Sequence, residues 1–378
     1  MNPTLWNSFD WLQVADGLSL AGALMAAISL VAHWRASLTG SKSHAFSVLS
    51  TCFLGLTAVA MAFSVGLRWV EVNHFPSQNM NEVLVMFTAA LVLSMLVLHF
   101  ALGLHRRGAG WAILDDALLL LVFASAYFTH EYIRTLNTAQ RDLPPALQSY
   151  WFPPHLSCLI FSYATLGIAG LVAIVYFATR FWSGVWIGGR TRTSQIVILG
   201  AMLLLPFAQV VTIPVLAIVG LVFLGLRALG KLPTAAAIAG LEKSLDDVSF
   251  RAFAVGIPFL TGGLWMGAFW AQEAWANYWG WDSKENSALI TWLIYIVYVH
   301  LRMLGGYRGE KAMAVLAGGA LSVFMTFQAF GYLPDSQKNS LHKYTDDGVV
   351  PREGMTGGAE DDSASAPAGD PAARDSAR

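Results

Sequence analysis

Eight stretches of this chain are apolar over a length that crosses a lipid bilayer, and this bounds every fold open to it. They lie near residues 13–34, 44–69, 82–104, 110–129, 156–180, 250–270, 286–304 and 312–332, most of them close to the roughly 20 residues that a helical span needs. Helices are the only assignment, because backbone in lipid must satisfy its own hydrogen bonds. Charged residues make up 12% of the chain and its mean hydropathy is +0.53, whereas soluble domains carry about 25% charged residues. A net charge of -1 gives no basic surface for nucleic acid. The expected fold class is all-α and polytopic, with about eight transmembrane helices plus an inserted apolar hairpin.

The hairpin comes from an uncharged run at 195–226, with Pro206 and Pro214 bracketing Gln209. Lys and Arg set its parity. Arg35 and Lys42, Arg106 and Arg107, Arg180 to Arg192, Arg227 to Arg251, and Arg302 to Lys311 fall on one side if the spans alternate, and they hold 14 of the 23 basic residues. Positive-inside bias makes that side cytoplasmic and puts the N-terminus outside. The inserted run must then cross an even number of times. Residues 1–344 read as one transmembrane domain, with a Trp-rich outer segment at 265–285 and the hairpin and inner loops at 185–245. Beyond Tyr344 the composition turns to Asp, Ser, Gly, Ala and Pro, so 345–378 reads as a disordered tail. Met1 to Leu12 lack the basic start of a cleavable signal. Cys52 and Cys158 form no C-x-x-C and read as buried packing residues.

Residues 275–285 place Trp275, Trp279 and Trp281 with Asp282 and Glu285 in eleven positions, between two apolar stretches. Tryptophan collects at membrane interfaces, yet this spacing is denser than an aromatic belt needs, and a shelf of indoles suits a flat apolar ligand such as a porphyrin. D-x-x-E before an apolar run is also a capping box, with Asp282 as N-cap and Glu285 reaching back. Imidazole is a common axial ligand to haem iron, so position sorts the nine histidines. His33, His44 and His105 adjoin inner-end Lys or Arg and read as interfacial, and His130 begins an outer loop. Pro153 and Pro154 hold His155 at the start of an outward-beginning helix, and His342 follows the last span by about ten residues. These two are either ordinary loop histidines or a pair gripping one iron. His300 lies inside a span, where an ionisable group is a functional candidate. Fourteen residues put it about 21 Å below the start of that span, beyond reach of an iron held at the outer face. His99, in the third span, is an internal alternative ligand.

The run from Trp265 to Arg302, with WANYWGWDSKENSALITWLIYIVYVHLR, resembles the tryptophan-rich signature of cytochrome c assembly proteins of the CcsA (ResC) type. PPHLSCLIFSYATL around His155, SFRAFAVGIPFLTGG before the Trp cluster, and SLHKY around His342 follow the same order, while residues 185–245 and the tail fall outside it. His74, in HFPSQNMNE, fits a family segment only in part and takes no ligand role. The resemblance implies that haem b binds at His300 within the membrane and at an outer site under His155 and His342, against Trp275, Trp279, Trp281 and Asp282. It implies a CcsB (ResB) type membrane partner supplying the opposite ligand to His300, an apocytochrome c whose C-x-x-C-H receives the haem, and a thiol-reducing system. The chain would be a subunit of a haem lyase complex in the bacterial cytoplasmic membrane, not active alone. The alternative is a di-haem membrane electron carrier of the cytochrome b type, which needs four ligands at matched depths in the membrane.

Overall fold

Nine α-helices run back and forth through the described part of the chain, each reversing the direction of the one before it except at an inserted sixth helix. A computed structural model describes residues 6–39, 45–103, 109–136, 144–187, 200 and 209–329. The helices are α1 (Ser8–Thr39), α2 (Ala45–Val72), α3 (Met80–Leu102), α4 (Ala109–Ile133), α5 (Phe152–Ile187), α6 (Gln209–Ala228), α7 (Ala235–Trp275), α8 (Ser283–Met303) and α9 (Glu310–Phe324). No strand occurs among the described residues. Seven of these helices are long and apolar enough to cross a membrane. The chain is therefore an all-α, multi-pass membrane protein. α8 falls below the same apolarity because its start carries Lys284, Glu285 and Asn286 and its end His300 and Arg302.

Two groups of helices form the bundle. α1 packs along α2 and α4, and α3 joins this group to α5; α5 packs along α7 over most of its length, with α9 and α8 following on. The α5–α7 pairing is antiparallel and keeps one register. Arg180 faces Glu242, Leu166 lies on Gly256, Leu159 on Gly263, His155 on Gly267 and Phe152 on Trp270. Ser149, just before α5, bonds Glu273. Each step up one helix is matched by an equal step down the other, from Ser149 to Arg180.

Caps close the helices at what we term the tryptophan end. Asn79 caps α3 by accepting from Glu82 N, and Asp282 with Glu285 forms a complete capping box on α8, as the D-x-x-E pattern predicts. Asp282 accepts from Lys284 N at 2.7 Å, while Glu285 accepts from Asp282 N at 3.1 Å. Such a cap is worth about 1 kcal/mol. At the opposite, basic end, Arg302 grips Asp246 through Nη1 at 2.7 and 2.8 Å, and Gly309 N also donates to that carboxylate at 3.1 Å. α7, α8 and the start of α9 are joined there.

α5 ends, and α7 begins, at this basic end, so the connection at 188–234 leaves and returns on one side. Within it α6 lies against α5, where Trp182 Nε1 donates to Leu216 O at 2.9 Å and Arg227 covers Trp186. The other limb of the expected hairpin, in 195–208, lies outside the described residues apart from residue 200, as do His44, His105, His342 and the tail 345–378. The expectation of two buried cysteines needs correction: Cys52 is exposed on the outer face of α2 and Cys158 is half-buried. An apolar neighbourhood in sequence does not separate a lipid-facing position from a packed one.

Candidate functional site

A cleft of about 210 Å³ opens at the tryptophan end, bounded by α5, α7, the segment after α7 and the loop before α3. Small-molecule pockets are mainly apolar with a few placed polar groups, and the lining of this cleft follows that pattern. Phe152, Leu156, Leu159, Ile160 and Tyr163 of α5 form one wall, with Leu264, Ala268, Trp270 and Ala271 of α7 opposite. Ser77, Met80 and Val83 come from the α2–α3 loop and the start of α3, and Phe327 and Thr326 close the far side.

His155 projects into this cleft. Its ring stacks on Trp270, with centroids 5.5 Å apart, and its Nδ1 lies 2.7 Å from Gly263 O. Nδ1 donates to that carbonyl, which makes Nε2 the basic nitrogen of the imidazole, the tautomer that a metal-ligating histidine ordinarily adopts. Gly267 makes the seat: a Cβ there would lie 2.6 Å from His155 Cε1. Trp270 is itself fixed, buried at 2% exposure and donating from Nε1 to Ala146 O at 2.7 Å.

The segment between α7 and α8 turns twice in the left-handed region, at Ala276 (φ 56°) and Trp281 (φ 57°). Non-glycine residues there carry strain. Between those turns Tyr278 and Trp279 line the cleft, and Lys284 and Glu285 from the first turn of α8 line its mouth. Trp279 Nε1 is buried with no hydrogen-bond partner. The three tryptophans are thus placed differently. Trp279 faces the cleft, Trp275 packs edge-on against Trp270 at 4.8 Å behind the wall, and Trp281 is 70% exposed, edge-on to Trp279 at 6.1 Å. Asp282, 9% exposed, acts through its cap.

His300 is brought to neither the cleft nor His155. It is exposed on α8, on a face shared with Ile290, Leu293 and Val297, and its Nδ1 lies 2.8 Å from Ile296 O. Its neighbour Arg302 pairs with Asp246, whereas His155 sits at Gly267. The stretch 246–267 of α7 spans roughly 30 Å at about 1.5 Å per residue, so the two imidazoles lie too far apart to meet one ligand atom. The opposite face of α8 is packed, through Tyr295, Tyr298 and the Trp292 Nε1 bond to Thr261 Oγ1 at 3.0 Å.

His99 does not fit the role of internal ligand. It is 2% exposed, its Nδ1 lies 2.9 Å from Asp115, and its Nε2 lies 3.3 Å from Thr51 Oγ1. Both nitrogens are engaged. His33, expected at an interface, is 3% exposed and paired with Asp116, and His130 is fully buried against Asp16. Sequence reasoning missed the partners of His33 and His130 because each lies more than 80 residues away. It also missed Trp270 and Gly267, although a tryptophan five residues before Trp275 was a visible cue. No group of three or more His, Cys, Asp or Glu able to hold a bare metal ion occurs among the described residues.

The residues at the cleft fit a haem in chemistry: an apolar slot, aromatic rings on its walls, one imidazole of fixed tautomer, and a lysine at the mouth. Comparison with known proteins gives the family. The model of the family described as cytochrome C assembly protein matches residues 18–333. The chain is 29% identical over 336 residues to the cytochrome c biogenesis protein CcsA of Guillardia theta, covering 89% of this chain and 97% of that one. It is 32% identical over 316 residues to CcsA of Gloeobacter violaceus, covering 77% and 85%. To CcsA of Chlorella vulgaris it is 30% identical over 341 residues, covering 88% and 96%.

Proposed function

As the chain belongs to the cytochrome C assembly protein family and acts in cytochrome c biogenesis, we propose that it carries haem b across the membrane and presents it at the tryptophan end for attachment to apocytochrome c. The observation that carries this reading is the seat of His155: a tautomer-fixed imidazole inside an apolar cleft walled by Trp270 and Trp279.

Haem is the cargo, and its vinyl groups are where the two cysteine thiols of an apocytochrome C-x-x-C-H add. The residues of this chain hold and orient it. His155 gives one axial ligand, and His342, which follows α9 in sequence, gives the other from beyond the described residues. Trp279 and Tyr278 flank the ring, Lys284 stands where a propionate leaves the cleft, and Trp275 and Asp282 hold the wall and the angle of α8. Trp281 offers an exposed edge to the incoming peptide. Two imidazoles keep the iron six-coordinate until the apocytochrome histidine replaces one. The contribution is positioning, not proton transfer.

His300 serves the membrane site. Its outward face, with Ile290, Leu293 and Val297, suits a second membrane protein of the CcsB (ResB) type that brings the opposite ligand. A subunit of a haem lyase complex follows, assisted by a thiol reductant outside the membrane. Nine of the twelve Lys and Arg among the described residues lie at the end away from the cleft, and positive-inside bias then faces the cleft to the exterior of a bacterial cytoplasmic membrane.

The test is haem spectroscopy of the protein purified with and without its partner, with His155, His300 and His342 replaced singly by Ala. His155→Ala and His342→Ala lose the low-spin signal of the outer haem and regain it with added imidazole, and His300→Ala loses the membrane haem. Unchanged spectra in His155→Ala and His342→Ala would discard the scheme.

A further inference from the structure

Three histidine–aspartate pairs lie buried among α1, α3 and α4, and none of them lines the cleft. Toward the basic end Asp116, fully buried on α4, accepts from His33 Nδ1 at 2.6 Å and from Ser29 Oγ at 2.9 Å, both on α1. Its neighbour Asp115, also fully buried, pairs with His99 of α3, which reaches Thr51 of α2. Toward the tryptophan end Asp16 of α1 accepts from His130 Nδ1 at 2.5 Å and from Arg134. The nearby carboxylates are otherwise held: Glu131 by Arg134, Glu71 by Ser8, and Glu82 by Arg68.

These groups lie along one seam. The buried stripe of α1 runs Asp16, Ser19, Gly22, Ala26, Ser29, His33, a three-and-four spacing that keeps one helix face. From Asp16 to His33 it covers about 25 Å, most of the roughly 30 Å thickness of a hydrocarbon core. Ser19 Oγ, Thr57 Oγ1, His130 Nε2 and Asp116 Oδ1 are buried with no hydrogen-bond partner. Ser19 lies one turn from Ala15 and Thr57 one turn from Met61, and Ala15 and Met61 share a cluster. The antiparallel register of α1 and α2, fixed by the Ser64 Oγ bond to Ser8 O and by Trp11 stacked on Phe63, puts Thr57 level with Asp16 and Ser19 about one turn further in.

A static tie between helices explains this poorly. Each unmet buried group costs about 1–3 kcal/mol, and apolar residues of similar size hold helices together as well as buried ion pairs do. Ionisable groups at such depth mark proton and ion routes. A sodium site would gather carboxylates and carbonyls, whereas each carboxylate here faces an imidazole, the side chain that titrates nearest neutrality. Midway, the fully buried Phe123 ring fills the space beside Gly22, where a Cβ would lie 2.4 Å from its Cζ.

We propose that the α1–α4 interface is a proton pathway across the membrane, with Asp116–His33 and Asp16–His130 as end stations and Phe123, seated on Gly22, as its plug. Asp115–His99 holds a further proton beside the first station. In each transfer an O–H or N–H bond breaks at the donor as another forms at the acceptor, and each imidazole takes a proton on one nitrogen while releasing one from the other. Water admitted when the Phe123 ring leaves Gly22 carries the proton over the roughly 15 Å between Ser29 and Ser19. The hydroxyls of Ser19 and Thr57 stand next to the second station. No electron moves, and one proton leaves the far face for each that enters.

The full chain, reconstituted into phosphatidylcholine–phosphatidylglycerol vesicles with an entrapped pH dye and driven by a potassium diffusion potential, tests this. Wild type should conduct slowly and Phe123→Ala at least tenfold faster. Adding Asp116→Asn or Ser19→Ala to Phe123→Ala should return the rate to that of protein-free vesicles. Ser19→Ala removes an unmet hydroxyl and leaves no buried partner stranded, so it separates loss of conduction from the loss of stability that Asp116→Asn brings by weakening its bonds to His33 and Ser29. Phe123→Ala no faster than wild type, or double variants as leaky as Phe123→Ala alone, overturns the pathway.

Discussion

The imidazole of His155 occupies the space that a side chain on Gly267 would need, 2.6 Å from the position of its Cβ. A single absent methyl on α7 thus admits the ring into the interface, where Gly263 O sets its tautomer and Trp270 its plane.

Gly267→Ala should therefore act like a partial loss of His155. The ring is pushed off Trp270, and retention of haem at the outer site falls by about tenfold, equivalent to about 1.4 kcal/mol. Low-spin absorbance of the purified protein measures this, and Gly262→Ala, where no atom lies within 4 Å, is the control that should leave it unchanged.

Trp281 stands with φ 57° and 70% exposure, so its ring repays little of its backbone strain within this chain. Trp281→Gly should stabilise the protein by about 1 kcal/mol in thermal unfolding in detergent. If the exposed indole meets the incoming peptide, the same variant lowers cytochrome c maturation in cells. Unchanged maturation would confine Trp281 to a structural role.

Asp246 and Arg302 are each under a tenth exposed and bonded twice. Asp246→Ala alone strands a buried guanidinium and should cost about 3–5 kcal/mol. The double variant Asp246→Ala with Arg302→Met recovers much of that loss. Denaturation of all three proteins under one condition gives the coupling, and a double variant no better than Asp246→Ala would contradict it.

His99→Ala should leave both haem signals intact while lowering stability, because its nitrogens already serve Asp115 and Thr51. Loss of a haem band in this variant would restore it as a ligand.

Much of this was legible in the residues. The spans followed from apolar length, and the α8 cap from Asp282 and Glu285 three apart, because both are local properties. The start of α7 was not. Its apolar run begins near residue 250, yet the helix extends back to Ala235, where Thr234 accepts from Ala237 N, through a charged stretch that pairs with the ends of α5 and α8. Nor does spacing alone tell which tryptophan faces the cleft. Two left-handed turns decide that, at residues whose types do not favour them. His33 was misjudged for a related reason: Arg35 two positions on signals an interface, while the α1 stripe that buries His33 has its counterpart on α4.

The fixed register of α5 against α7 has a consequence for how such a chain can diverge. Side chains along the seam can be exchanged one for another, as an identity near 30% with relatives illustrates. Inserting one residue in either rod is another matter. It would rotate everything beyond it by about 100°, swinging His155 away from Gly267 or Arg180 away from Glu242, so change in length is confined to the joins between helices.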